Sequence, residues 1–302
     1  MRRPILGACE VNTIAWHYEP VAGAPLGAVA QGVDLASADE AFYADLPRQL
    51  ARHGVIIFRD QQLSPAAIQA AAARLGPLEP SVLDQFCMPG NPFIYILSNI
   101  VENGRPIGSS TDGYGWHTDQ AYFAKPTAYT FLYGLEVPPE GAATEFANTR
   151  LAYESLSEAR RGELKPLRVE HSYMKMITDR ASNPAFAGKV PVPTDEQRAR
   201  VPDVSQPLVR RHPVDGSLSL YPGGQTVKSI EGLGGEDGLS LVQELLAWCT
   251  AERFLYRHAW QPRDLVIWDN RCTLHRATPY DKERYRRLMW RVSITGERPL
   301  GP

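Results

Sequence analysis

The chain has 302 residues, 43% of them hydrophobic and 22% charged, which is the balance of an ordinary globular protein. Its 32 basic and 34 acidic side chains leave a formal net charge of −2, which argues against a nucleic-acid partner or a polybasic membrane surface. No run approaches the roughly 20 apolar residues needed to cross a bilayer, and the Met1-Arg2-Arg3 opening lacks the continuous apolar stretch of a signal peptide.

Four cysteines, Cys9, Cys87, Cys249 and Cys272, are scattered without a C-x-x-C pair. That usage fits a reducing, cytoplasmic setting better than a disulfide-stapled fold. Pro and Gly, 25 and 24 residues, are spread along the chain as turn signals between short strands. The first strand expected is Gly54-Val55-Ile56-Ile57-Phe58. Ser64-Pro65 then reads as a helix cap followed by proline in the first turn, and the helix runs to Leu75 before Gly76-Pro77 stops it. Apolar, β-prone runs at Phe93–Leu97, Ala128–Leu135, Leu218–Tyr221, Leu265–Trp268 and Leu288–Ile294 predict further strands. Helices are expected from Thr149 to about Leu164 and from Gly238 to about Thr250, the second with Leu241, Leu245 and Trp248 on one face. Between them, Lys175 to Pro207 reads as a long polar, Pro-rich insertion, for which an active-site lid is the natural role. The expectation is one mainly β domain over 1–302, with helices outside and a lid-like insertion around 175–207.

The chemistry concentrates in Gly115-Trp116-His117-Thr118-Asp119. On an extended chain, side chains two apart leave from the same face, so His117 and Asp119 can reach one ion together. A third ligand must come from elsewhere, and His275, after Trp268-Asp269-Asn270-Arg271, is the best candidate. Two histidines and one carboxylate on one face of an octahedron are the facial triad of non-haem Fe(II) oxygenases, which keeps the remaining positions open. Alone, His-x-Asp is a short motif that also arises as a surface histidine near an aspartate.

Arg284, Arg286, Arg287 and Arg291 follow His275. Arg287 and Arg291 share a face of the Leu288–Ile294 strand, with Met289 between them. A buried guanidinium requires an anion, and its fork matches a carboxylate. By themselves, two arginines reaching from a strand edge into solvent are the plainer reading, and it is their position after a metal-binding histidine that shifts the balance.

Several ordered motifs together make the chain resemble the taurine/2,4-dichlorophenoxyacetate dioxygenases along nearly its whole length. They are Gly32-Val33-Asp34-Leu35, Gly54-Val55-Ile56-Ile57-Phe58-Arg59-Asp60-Gln61, Trp116-His117-Thr118-Asp119, Arg211-His212-Pro213, Trp260-Gln261-Pro262, Trp268-Asp269-Asn270-Arg271 with His275, and Arg287-Leu288-Met289-Trp290-Arg291. The resemblance implies a double-stranded β-helix, or jelly roll, with the first ligand pair at the end of an early strand and His275 on a late one. It implies Fe(II) held by His117, Asp119 and His275, with 2-oxoglutarate and O₂ as co-substrates. The far carboxylate of 2-oxoglutarate would meet Arg287, with Arg286 as a rival one position earlier. Thr144, after Gly141-Ala142-Ala143, would donate to the same co-substrate, unless it is an ordinary strand threonine. Arg291 would grip the anionic group of a small organic acid. Tyr114, Gln120, Tyr122, Tyr173 and Gln225 would line the substrate pocket.

The activity implied is hydroxylation of that acid, which cleaves it where the hydroxyl lands beside a heteroatom, with release of succinate and CO₂. Taurine itself fits poorly. The taurine enzymes carry an asparagine where Gly113 stands, and they use a histidine in a region whose counterpart, residues 77–97, has none. Desaturation or oxidative rearrangement in natural-product assembly remains open on the same scaffold. So do a barrel that binds metal without turnover and a zinc hydrolase on the same three ligands. A homo-oligomer is the expected assembly. Cys272, close to His275, reads as a buried strand thiol and not a ligand, and Ser157 to Arg161 as a solvated helix face.

Overall fold

A computed structural model describes residues 16–186 and 188–302. The Met1-Arg2-Arg3 opening and Cys9 lie outside them. Among the described residues the largest sheet has nine strands. Its centre is the antiparallel run Val55–Phe58, Leu265–Asp269, Thr127–Glu136, Leu288–Thr295 and Asn91–Ser98. Facing it, Thr144–Asn148 pairs with Leu255–His258 on one side and Thr273–Ala277 on the other. Arg168–His171 pairs with Val204–Pro207 and Val227–Ile230 in another three-stranded sheet. This is a mainly β fold with its helices outside, as the sequence pattern predicts, and the jelly roll that the family resemblance implies.

The apolar runs are continuous because the central strands are covered on both faces. Ile56, Phe58, Phe131, Tyr133, Leu265, Ile267, Val292 and Ile294 point outward against helices Glu40–His53 and Pro65–Ala73. Their alternates Val55, Ile57, Leu132, Val266, Trp268 and Met289 point into the barrel with Tyr95, Leu97 and Phe146. Period-two geometry therefore decides which side chains can reach an interior site. Ser64 caps Pro65–Ala73 through the Ala67 N–H, as expected.

Two expectations need correction. The helix expected across Thr149 to Leu164 is two helices, Thr149–Glu154 and Glu158–Leu164. Ser155 back-bonds to the Leu151 carbonyl, and Ser157 caps the second helix through Arg160 N–H, so Ser155-Leu156-Ser157 is both a stop and a start. The stretch from Lys175 to Pro207 is more regular than its prolines suggested. It holds most of the helix Tyr173–Ser182, a capping box of Thr194 and Gln197 on the short helix Asp195–Ala199, and the strand Val204–Pro207. The last predicted helix runs Gly235–Cys249, slightly earlier than expected. Glu158 and Ala159 are exposed, which fits a solvated face for Ser157 to Arg161. No helix among the described residues is long and apolar enough to cross a membrane.

Candidate metal centre and co-substrate cavity

The His117 segment does not lie on a regular strand, contrary to the expectation for the first ligand pair. It is an extended stretch between strands, fixed by backbone pairing to the third candidate ligand. His117 N–H donates to His275 O at 3.0 Å, and His275 N–H donates back to His117 O at 2.9 Å. On its other side it bridges Gly224, whose φ of +71° and contact with the Trp116 carbonyl leave no room for a Cβ. His275 itself sits mid-strand in Thr273–Ala277, opposite Phe146.

The donor atoms of His117, Asp119 and His275 lie within 4.8 Å of one another. The two imidazole Nε2 atoms stand 3.8 and 3.6 Å from the Asp119 carboxylate oxygens, too far for hydrogen bonds. His117 Nδ1 lies 2.9 Å from Gly115 O, and with its proton placed there Nε2 keeps a lone pair for a metal. Burial drives His275 down to about 3, so it is a neutral ligand at ordinary pH. Burial would raise the Asp119 carboxyl, but His275, Arg291, His117 and the Thr130 hydroxyl together hold it below its usual value. Three converging lone-pair donors with no protein donor between them fit a divalent cation.

Supporting contacts fix the carboxylate. Thr130 Oγ1 donates to Asp119 Oδ2 at 2.7 Å, and Asn270 Nδ2 donates to that threonine at 2.9 Å. Asn270 Oδ1 accepts from Trp268 Nε1 at 3.0 Å and from Asp119 N–H at 3.2 Å. Sequence reasoning quoted Asn270 without giving it a task, and it missed Thr130. An inward-facing polar residue in an otherwise apolar strand was the available signal.

Two cavities meet at this centre, sharing Asp112, Gly113, His117 and Arg291. The smaller, about 420 Å³, is lined by His275, Thr144 and Arg287 with Leu97, Leu132 and Trp268. Arg287 is 8% exposed, its Nε is buried without a partner, and no carboxylate pairs with it among the described residues. Burial lowers its pKa, offset in part by the Tyr280 and Tyr114 phenols. Arg286 differs in every respect: it is exposed and bonds Glu136 at 2.9 and 3.1 Å. Arg284 is likewise exposed, beside Glu140. Thr144 Oγ1 accepts from Trp260 Nε1 at 3.0 Å, which leaves its own proton to donate into the cavity.

The larger cleft, about 690 Å³, is lined by Arg291, Gln120, Tyr122, Tyr173 and Gln225 among the expected pocket residues. Tyr122 and Tyr173 pack with ring centroids 4.8 Å apart. Tyr114 is the exception. It does not line the cleft: its ring stands 6.0 Å from Phe186 and under Lys282 Nζ, and its carbonyl accepts from Gln225 Nε2. Asp112, Tyr95 and Arg180, none predicted, also form the wall, with Met176 and Ile177 from the helix Tyr173–Ser182. Cys272 is buried beside Asp269 and is not one of the three converging donors.

A jelly roll with two histidines and one aspartate beside an unpaired buried arginine defines a metal-dependent oxygenase scaffold. Over residues 17–293 the sequence matches the family described as "Taurine catabolism dioxygenase TauD, TfdA family", and the chain belongs to that family. It is 34% identical over 81% of its length, and 85% of the relative's, to the alpha-ketoglutarate-dependent 2,4-dichlorophenoxyacetate dioxygenase of Cupriavidus pinatubonensis. It is 31% identical, over 94% of its length and 96% of the relative's, to pentalenolactone F synthase of Streptomyces arenae. The solved structure of AAD-2 in complex with Mn(II) and N-oxalylglycine aligns with a TM-score of 0.74 at 27% identity, covering 94% of this chain and 99% of that one. The chain is an oxidoreductase of the 2-oxoglutarate-dependent dioxygenase class, with Fe(II), 2-oxoglutarate and O₂ as its reactive partners.

Proposed function

We propose that this enzyme hydroxylates a small organic anion, converting substrate, 2-oxoglutarate and O₂ to hydroxylated product, succinate and CO₂. The observation that carries the reading is Arg287, a buried guanidinium with no carboxylate partner among the described residues, in a cavity that opens onto the His117–Asp119–His275 cluster. His117, Asp119 and His275 hold the iron. Bound there, Fe(II) supplies the redox chemistry that couples 2-oxoglutarate decarboxylation to insertion of one oxygen atom into a substrate C–H bond.

The chain's own residues bind, orient and exclude water. Arg287 pairs with the far carboxylate of 2-oxoglutarate, and the Thr144 proton, freed by the bond from Trp260, adds a second donor. Arg291 takes the substrate anion. Tyr122, Tyr173 and Gln120 shape the space around it with Gln225, and Met176 and Ile177 present apolar surface that keeps water from the reacting atoms. Tyr114 acts on the pocket through its carbonyl, which accepts from Gln225 Nε2. The segment 175–207 serves as a lid within one catalytic unit, a role supported by the place of Met176, Ile177 and Arg180 on the cleft wall.

The likeness to the alpha-ketoglutarate-dependent 2,4-dichlorophenoxyacetate dioxygenase supports an aryl or similarly flat acid as substrate. The likeness to pentalenolactone F synthase supports a second outcome on the same site, desaturation or oxidative rearrangement. The free thiols Cys87, Cys249 and Cys272 suit a cytoplasmic setting, and sedimentation would test homo-oligomeric assembly.

The test is succinate release with Fe(II), 2-oxoglutarate and a panel of small organic acids, with product analysis under ¹⁸O₂. Acid-dependent succinate and labelled hydroxylated product are expected. A desaturated product would select the second outcome. Turnover that persists without O₂ and 2-oxoglutarate would contradict both.

A further inference from the structure

The larger cleft carries more charge than one arginine awaiting one anion. Arg180, on the helix Tyr173–Ser182, and Asp112 share its wall with Arg291. Asp112 Oδ1 accepts from Arg180 Nη1 at 2.8 Å, and its Oδ2 accepts from the Tyr95 hydroxyl at 2.7 Å. Arg180 Nη2 also donates to the Thr111 hydroxyl, at 2.9 Å, and to the Thr111 carbonyl. The Arg180 charge is therefore cancelled where it stands, in a pair whose side chains are only 14% and 16% exposed. Arg291 differs. It lies over the Tyr95 ring at 4.6 Å, and its Nε is buried without a partner. The carboxylate nearest to it, Asp119 at 3.8 Å, faces the two imidazoles.

We propose that Asp112 sets the charge of the substrate: by pairing with Arg180 it leaves Arg291 as the one arginine of this cleft with no hydrogen-bonded carboxylate among the described residues, which selects monoanions and rejects dianions. The inference rests on the reading that Arg291 meets the substrate's anionic group. Its physical basis is that the Asp112–Arg180 pair offers no net charge, so in a poorly solvated cleft Arg291 can balance one negative charge of a ligand and a second would be buried without a counter-charge. The same ion pair ties the Tyr173–Ser182 helix to the barrel, so a purely mechanical role is the competing account. Charge reversal in a double variant separates the two.

The experiment measures binding of phenylacetate, a monoanion, and phenylmalonate, its dianionic counterpart, at pH 8. The protein is held anaerobically with Fe(II) and 2-oxoglutarate, and perturbation of its visible charge-transfer band reports occupancy without turnover. The wild-type protein should prefer phenylacetate. Asp112→Asn should move the affinity ratio toward phenylmalonate by about tenfold or more, because two cations are then uncompensated. Arg180→Gln should weaken phenylacetate by about tenfold, because Asp112 then opposes Arg291. The double variant should recover the wild-type ratio although the ion pair is gone. A double variant as impaired as the worse single one would assign a mechanical role and overturn the proposal, as would an unchanged ratio in Asp112→Asn. Should Asp112→Asn fail to fold, Arg180→Gln decides, and undiminished phenylacetate affinity refutes the charge argument. If the wild-type protein binds neither anion, the Arg291 reading itself falls and this inference falls with it. Binding by the wild type with no shift in the variants defeats this inference alone.

Discussion

Among the described residues, two buried groups of histidine, carboxylate and arginine share the same residue types and differ in what they leave unsatisfied. In one, Asp269 is fully engaged. Its Oδ1 accepts from Arg271 N and Nε at 2.9 and 2.8 Å, and its Oδ2 from Arg271 Nη2 at 2.6 Å and His212 Nε2 at 3.0 Å. His212 Nδ1 takes the Val214 N–H, and Glu297 adds a second carboxylate beside Arg271. With Cys272 close by, this group has metal-ligand spacing on paper, yet every strong donor and acceptor already has a protein partner. In the other, His117, Asp119 and His275 present lone pairs to one another across gaps too long for hydrogen bonds, and Arg287 has no carboxylate partner among the described residues. Buried charges that satisfy each other are architecture. Buried charges that remain unsatisfied mark the places where ligands complete the structure.

That contrast is open to attack by mutation, and the largest effect is expected at the open cluster. His275→Ala should abolish Fe(II) binding and turnover while leaving the thermal transition intact. Wild-type iron stoichiometry in the variant would break the comparison. Next comes the closed group: Asp269→Ala strands Arg271 and His212 and should lower unfolding free energy by about 3–5 kcal/mol in denaturant titration. A loss below about 1 kcal/mol would mean the network is not structural. Arg287→Met should weaken 2-oxoglutarate binding on the order of a hundredfold, yet leave the ligand-free protein equally or more stable, since it removes an uncompensated charge. Arg286→Ala, at an exposed pair, should do neither, and a 2-oxoglutarate defect there would shift the assignment by one residue. A small effect is expected of Cys272→Ala as well, about 1 kcal/mol of packing with iron content unchanged. Loss of iron would place that thiol at the metal.

Much of this was legible because strands obey a period of two. Arg287, Met289 and Arg291 were expected on one face, and Met289 packs inside the barrel while both arginines line its cavities. The turn-bounded apolar runs located the central strands within one or two residues. What escaped the sequence depended on partners distant in the chain. Thr130 looks like any strand threonine until Asn270, 140 positions away, and Asp119 bracket its hydroxyl. Arg180 fell in a segment taken for irregular because its prolines outweighed two local signals, the Ser172 cap and the Thr194–Gln197 capping box. Its bond to Asp112 spans 68 positions. Tyr114 was placed in the substrate cleft by family position alone. Its neighbours Phe186 and Lys282 turn it elsewhere.

The central claim is that one open cluster chelates iron beside an arginine reserved for 2-oxoglutarate. Anaerobic absorption spectroscopy of the protein titrated with Fe(II) and 2-oxoglutarate tests it directly. A weak visible charge-transfer band requiring both additions, lost in His275→Ala and shifted to much higher 2-oxoglutarate concentrations in Arg287→Met, is the predicted result. Metal binding with no band at any 2-oxoglutarate concentration would contradict the account and return the cluster to a hydrolytic or purely metal-binding role.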